Sequence, residues 1–262
     1  RFEAKFRIPS VLNAFSLTAA DYDNDSDLDL FVCRYFAKKE DGAQLATPVP
    51  YFDANNGGGN YLIRNDGRSK QQGDWISFSD ATVESGLDGQ NNRRFSFASV
   101  WEDLDNDGDQ DLFVANDFGL KNLYVNEGGT FRDLAPGAGV DDGGFGMSAS
   151  AGDFDRDGIP DLYAGNMFSA AGNRITSQPG FRPEADDATR ARFRRMARGN
   201  SLFRGLGGSR NGGPGFADVS EPTGVTVGRW SWGSIFADLD QDGWEDLVVA
   251  NGFVTGRVPD DL

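Results

Sequence analysis

Histidine is absent from the 262 residues, and cysteine occurs once. The first absence removes the usual general base near pH 7, the commonest transition-metal ligand and every Ser-His-Asp or Cys-His arrangement. The second leaves Cys33, in "DLFVCRYF", without an internal disulfide partner, and it reads as a small buried apolar residue of a strand. No run of 18 apolar residues occurs, so no segment has the length of a membrane-spanning helix. No signal-peptide pattern follows Arg1, which places any leader outside this segment. Positive charge is scarce. Lys and Arg number 25 against 41 Asp and Glu, and the net charge of −16 argues against nucleic-acid or anionic-membrane partners and in favour of cations.

What the chain does contain is glycine, 35 of them, and a repeated aspartate run. The run appears as "DYDNDSDLDLFV" from Asp21, "DLDNDGDQDLFV" from Asp103, "DFDRDGIPDLYA" from Asp153 and "DLDQDGWEDLVV" from Asp238. Upstream of these lie "NAFSLTAA", "FSFASVWE", "FGMSASAG" and "WSWGSIFA", which mix aromatic, small and β-branched residues without helix caps and read as strands. Downstream come "NYLIRNDG", "NLYVNEGG" and "NSLFRGLG", then "FSDATVESGL", "FRDLAPGAGV" and "FADVSEPTGV". Each unit is strand, acidic loop, strand, connection, strand, tight turn, strand. That is a four-stranded antiparallel meander, the blade of a β-propeller. A β-helix is the competing arrangement, but its coil is shorter than this unit. The expected fold is therefore all-β, with blades at about 13–88, 95–140, 145–225 and an incomplete 230–262, in one domain. Met147 among Ser148, Ala149, Ser150 and Ala151 suits an innermost strand beside a central channel.

These repeats resemble the FG-GAP/VCBS family of calcium-loop propeller repeats, as in the head of integrin α-chains, and especially bacterial relatives of cartilage acidic protein. "FGMSASAGDFDRDGIPDLYAGN" and "WGSIFADLDQDGWEDLVVANG" carry the resemblance, with "NLYVNEGGTFRDLAPGAGV" as the outer half-blade. The resemblance implies seven blades. Three and a half are expected here, either as a fragment of a larger propeller or as a ring closing with fewer blades. The alternating "RFEAKFRI" at Phe2, Ala4, Phe6 and Ile8 is a candidate closing strand.

Numbered from its first aspartate, each loop places carboxylates at positions 1, 3, 5 and 9 around one point. Ca²⁺ takes six to eight hard oxygens in a tolerant geometry, whereas Mg²⁺ demands a strict octahedron. The predicted ligands are Asp21, Asp23, Asp25, Asp27 and Asp29; Asp103, Asp105, Asp107, Asp109 and Asp111; Asp153, Asp155, Asp157, Ile159 and Asp161; and Asp238, Asp240, Asp242, Trp244 and Asp246. Position 7 is variable because only its carbonyl is used. Position 6 is Gly108, Gly158 or Gly243, which lets the backbone turn inward, and Ser26 in the first loop predicts strain there. An EF-hand needs Glu at position 12 and an exiting helix, but position 12 is Val32, Val114, Ala164 or Val249 in predicted strands. Eighteen aspartates this close repel one another unless cations sit among them, and four Ca²⁺ would halve the net charge.

The connections between second and third strands lie opposite the acidic loops, and two are long, 34–59 and 167–199. Within the latter, Pro183, Glu184, Asp186 and Asp187 are expected to start a helix that Arg190, Arg192, Arg194, Arg195 and Arg198 finish before Gly199, with Phe193, Met196 and Ala197 buried. Those arginines either dock an acidic partner or complete a solvated helix. Trp230 and Trp232 read as core and Trp244 as a loop-surface residue. The functional expectation is a non-enzymatic, calcium-stabilised, extracytoplasmic interaction, adhesion or assembly module, binding a protein or glycan through the insertions. The alternative is a polysaccharide-active enzyme or lectin on the same scaffold, for which Asp53, Glu84, Asp117 and Asp141 are the loosely placed acids.

Overall fold

The computed structural model describes residues 6–7, 13–36, 47–69, 75–208 and 212–252. Its first sheet contains β1 (Phe6–Arg7), β2 (Ala14–Ala20), β3 (Asp29–Arg34), β4 (Tyr61–Ser69) and β5 (Trp75–Asp80), in the order β1-β5-β4-β3-β2. The second is the meander β6 (Phe95–Glu102), β7 (Asp111–Asp117), β8 (Asn122–Asn126) and β9 (Phe131–Asp133). The third repeats it with β10 (Gly146–Gly152), β11 (Asp161–Asn166), β12 (Ser201–Gly205) and β13 (Phe216–Asp218). Among the described residues the fourth holds two strands, β14 (Ser231–Ala237) and β15 (Asp246–Asn251). Four-stranded antiparallel sheets are thus present as the repeat predicts, and no closed ring forms among the described residues. Of the candidate closing strand, Phe6–Arg7 runs parallel to β5 and covers that outer edge, while Phe2, Ala4 and Ile8 lie outside the described residues.

The sheets follow one another with first strand beside first strand, β2 to β6 to β10 to β14. Small hydroxyl residues let these strands approach. Ser16 Oγ donates to the Phe97 carbonyl at 2.7 Å, Thr18 and Ser99 hydroxyls meet at 2.9 Å, and Ser150 and Ser234 meet at 2.6 Å. Each of these strands also carries a register shift at the same place, six residues before the first loop aspartate. The displaced residues are Phe15, Phe97, Met147 and Trp232, and a bulge re-aims the side chain it carries. Phe97 meets Phe15 at 4.4 Å and Trp232 at 5.9 Å between ring centroids, so the bulged aromatics converge.

A sheet sandwiched between two neighbours must bury both faces, which explains why the second strands are continuously apolar. Along β7, Leu112 and Val114 pack toward the first sheet with Phe31, Cys33 and Leu62, while Phe113 packs toward the third with Leu162 and Phe203. Tyr163, between Leu162 and Ala164, turns the other way to meet Phe236 of the fourth sheet. Cys33 is fully buried there as a small apolar residue, its thiol pushed up to about 11 by burial. Among the described residues the outermost faces have no neighbouring sheet, and Leu17 and Ile235 stand exposed on them.

Short turns join one sheet to the next. The helical turn α1 (Ala135–Ala138) ends at Gly139 with φ +87°, where an added Cβ would sit 2.5 Å from the Phe216 carbonyl oxygen. The long third-sheet connection carries α2 (Ala170–Thr176) and α3 (Asp187–Arg198), which pack on each other. The helix predicted from Pro183 starts at Asp187. The Asp186 carboxylate accepts from Thr189 N–H at 2.7 Å and makes Asp186 the cap, leaving Pro183 and Glu184 in the preceding turn. Met196 and Ala197 are buried as expected; Phe193 is half-buried and meets Phe52 and Phe181, both at 5.7 Å. The two long insertions therefore touch. A last turn, α4 (Ser220–Thr223), leads to the fourth sheet.

Candidate metal centres and the insertion face

All four acidic loops share one backbone design. The position-1 carboxylate accepts from the N–H groups of positions 5 and 6, as Asp103 does from Asp107 at 3.1 Å and Gly108 at 3.0 Å. Position 5 accepts from position 7, so Asp107 Oδ1 takes the Asp109 N–H at 2.9 Å. Asp21, Asp153 and Asp238 repeat the first pattern, and Asp25, Asp157 and Asp242 the second. Two left-handed residues make the turn. Position 6 has φ from +73° to +95°, which Gly108, Gly158 and Gly243 adopt freely and Ser26 adopts under strain. Position 4 is also left-handed, at Asn24, Asn106, Arg156 and Gln241. Sequence reasoning missed it; asparagine was the available signal in two loops, and Arg156 and Gln241 gave none.

Three carboxylates of each folded loop group within 4.8 Å of one another. Positions 1, 3 and 9 bring oxygens within 4.8 Å of one another in the first three loops, as Asp21, Asp23 and Asp29; Asp103, Asp105 and Asp111; and Asp153, Asp155 and Asp161. In the fourth loop the grouping is Asp238, Asp240 and Asp242, all exposed. Asp25, Asp107 and Asp157 serve as loop braces through the bonds above. Asp27, Asp109, Ile159 and Trp244 stand outside these carboxylate groups, and so does Asp246.

Position 9 separates the complete sheets from the fourth. Asp29, Asp111 and Asp161 have no exposed surface. Each is held by two backbone N–H groups. The position-2 residue donates to Oδ2 at 3.3, 3.0 and 2.9 Å, and the third strand donates to Oδ1 from Asn65, Asn126 and Gly205 at 2.7, 2.8 and 2.8 Å. Asp246 receives only the first kind, from Leu239 at 3.1 Å, and is exposed. Burial pushes the Asp29, Asp111 and Asp161 carboxyls up to about 6, 7 and 6, against the pull of those N–H groups and with neighbouring aspartates adding to it. Burial, then the adjacent Asp25 and Asp107, raises Asp23 and Asp105 as well.

The residues present fit a hard cation. Asp23 Oδ1, Asp105 Oδ1 and Asp155 Oδ1 are buried and accept no hydrogen bond among the described residues. Three repeats leave the same oxygen of the same position unpaired, and its residue belongs to the converging trio each time. A buried carboxylate oxygen without a donor is costly unless a cation sits beside it. Position 12 lies inside β3, β7, β11 and β15, so no loop has the EF-hand's closing glutamate. Neighbouring loops also touch. Asn24 Nδ2 donates to Asp109 Oδ1 at 2.7 Å, Asp153 N–H donates to Glu245 Oε2 at 2.9 Å, and the Arg156 guanidinium lies 5.1 Å from the Trp244 ring centre.

On the opposite face Arg195 and Arg198 of α3 turn inward, while Arg192 and Arg194 are exposed. Arg195 Nη2 lies 2.8 Å from Asp142 Oδ1 and Arg198 Nη2 lies 2.6 Å from Asp218 Oδ2. Asp142 is fully buried and also accepts from Gly144 N–H at 2.7 Å, Asn166 Nδ2 at 2.8 Å and Ser201 Oγ at 2.5 Å. Burial alone would raise its carboxyl; Arg195 first, then Lys121, overrides this and holds it well below the usual carboxylate range. Lys121, itself buried, donates to the Asn116 and Gly144 carbonyls at 3.1 and 2.7 Å, and burial lowers its ammonium to about 8. The loosely placed acids are spread over separate partners: Asp53 pairs with Arg94 at 2.7 Å, Glu84 with Arg64, and Asp117 accepts from Tyr35 Oη at 2.5 Å, while Asp141 is exposed. Trp232 departs from its expected core position. It is 40% exposed, displaced at the bulge of β14 and stacked on half-buried Trp230, whereas Met147 at the same bulge of β10 is buried. Trp244 is 49% exposed, on its loop.

Residues 103–164 match the family described as FG-GAP-like repeat. The match runs from the first aspartate of the second loop through the third loop into β11. No curated protein matches the chain significantly.

Proposed function

We propose that the four sheets are blades of a calcium-stabilised propeller, and that the chain works as an extracytoplasmic interaction module rather than through chemistry at the acidic loops. The observation that carries this reading is the recurrent unpaired oxygen, Asp23 Oδ1, Asp105 Oδ1 and Asp155 Oδ1, in a trio whose position-9 member is buried. The FG-GAP-like match over 103–164 supports a propeller-type interaction module. Asp21, Asp23 and Asp29 and their counterparts would hold the ion, with loop carbonyls such as that of position 7 completing an oxygen shell, and the fourth loop would hold it more weakly. Bound Ca²⁺ supplies counter-charge and no reaction step. Millimolar extracytoplasmic calcium suits sites of this kind. The working surface in this reading is the opposite face, where the 34–59 and 167–199 insertions meet through Phe52 and Phe193.

Thermal unfolding of chelator-treated chain across a Ca²⁺ titration tests it. Binding to the folded state alone raises stability by RT ln(1 + [L]/Kd), about 2.7 kcal/mol per site at a hundredfold excess over Kd. A rising melting temperature is expected; a melting temperature indifferent to Ca²⁺ sinks the reading.

A further inference from the structure

The insertion face holds a cleft of about 340 Å³, lined by Phe52, Leu120, Ala191, Asp141, Arg192 and Arg195 among others. That volume is at the small end of ligand sites, the size of one compact molecule or ring. Three connections and one helix build it. Phe52 comes from the first insertion, Leu120 from the β7–β8 connection, Asp141 from the β9–β10 connection and the two arginines from α3.

Its charged groups differ in how far they are already committed. Arg195 is fixed through Nη2, by Asp142 Oδ1 at 2.8 Å and by Ser201 Oγ, and its Nη1 is buried at the wall of the cleft without an acceptor among the described residues. Arg192 is exposed, lies 5.6 Å above the Phe52 ring and reaches Asp53 Oδ2 only at 3.7 Å. A guanidinium held at one nitrogen and left buried without an acceptor at the other is preorganised to receive an oxyanion at the cleft wall. Asp141 adds an exposed acceptor, and Phe52 and Leu120 add apolar surface.

We propose that this cleft binds a hydroxylated carboxylate, a sugar acid or a smaller hydroxy acid. The ligand carboxylate takes Arg192 and Arg195, a hydroxyl donates to Asp141, and C–H groups cover Phe52 and Leu120. A neutral polyol leaves Arg195 Nη1 unpaired, and a second negative charge meets Asp141 and Asp53. The proposal concerns the insertion face and does not depend on the acidic loops holding calcium.

Calorimetric titration of the full chain with D-glucuronate, D-glucose, lactate, glutarate and a tetra-aspartate peptide tests it. Glucuronate is expected to bind at least about tenfold more tightly than glucose, the worth of one charge-assisted pair. Lactate matching glucuronate assigns the smaller hydroxy acid; glucuronate exceeding lactate assigns the sugar acid. Arg192→Ala is expected to weaken the preferred ligand about tenfold. Asp141→Asn is expected to weaken glucuronate or lactate but not glutarate, which separates the hydroxyl contact from general charge. Arg195→Ala is unsuitable because it strands Asp142, and circular dichroism of the two variants used confirms that they stay folded. The proposal is overturned by glucose equal to glucuronate, by binding of the peptide alone, by no binding of any hydroxylated carboxylate, or by an Arg192→Ala chain that binds as before.

Discussion

Asp111 and Asp142 are both buried aspartates, on opposite faces of neighbouring sheets, and they are neutralised in different ways. Asp142 is met by Arg195 at 2.8 Å with Lys121 close by, and its carboxyl is held low. Asp111 is met by two backbone N–H groups, and its carboxyl is pushed up to about 7. The insertion face therefore carries its own counter-charge, whereas the acidic face offers dipoles and converging carboxylates, with Arg204 reaching Asp155 only at 3.9 Å, and in the proposed reading the remaining counter-charge comes from solution. The fourth sheet sharpens this contrast. Without a third strand among the described residues, Asp246 lacks the second N–H, stays exposed and drops out of the trio.

The largest effect is expected on the insertion face. Arg195→Ala strands the buried Asp142 carboxylate and should cost about 3–5 kcal/mol in urea unfolding, equally with and without Ca²⁺. Calcium-dependent loss would break the contrast. The same pair predicts an acid limb. Because the folded Asp142 pKa lies below its unfolded value, the stability it provides is present above about pH 3.9 and is lost as pH falls through the folded value. Calcium-loaded Asp142→Asn should lack that part of the limb when unfolding is followed against pH.

Asp111→Ala unpairs the Leu104 and Asn126 N–H groups and removes a trio member, so about 2–4 kcal/mol is expected, against less than about 1 kcal/mol for Asp246→Ala. Equal costs would show that the third strand does not matter. The smallest and most discriminating case is Asp105→Asn. With Ca²⁺ it should destabilise by about 1–2 kcal/mol through weaker binding, and after chelation it should stabilise by about 1 kcal/mol by relieving repulsion from Asp103 and Asp107. A shift of the same sign in both conditions would contradict the cation reading.

The repeated four-strand unit and its turn residues made much of this architecture legible. The aspartate spacing, the apolar runs after it and the Gly-bearing turns locate every described strand from β2 to β15, because each repeats the same local chemistry. The trio was less legible. Spacing alone treats positions 1, 3, 5 and 9 alike, and only the folded turn shows that position 5 braces the loop while position 9 is carried inward by the strand that follows. Trp232 was read as core from its place in an inner strand, and the sequence does not show that it stands at a bulge of the fourth sheet, which re-aims it. The pairing of Asp142 with Arg195, 53 residues apart in a helix-bearing insertion, leaves no local pattern at all.

The most direct test of the external counter-charge is equilibrium dialysis of the chelator-stripped chain against Ca²⁺, with bound metal counted by elemental analysis. The loops built by complete sheets predict three ions bound first and the fourth loop filling only at higher concentration. A stripped chain that remains folded and binds no calcium at millimolar concentration would contradict the account.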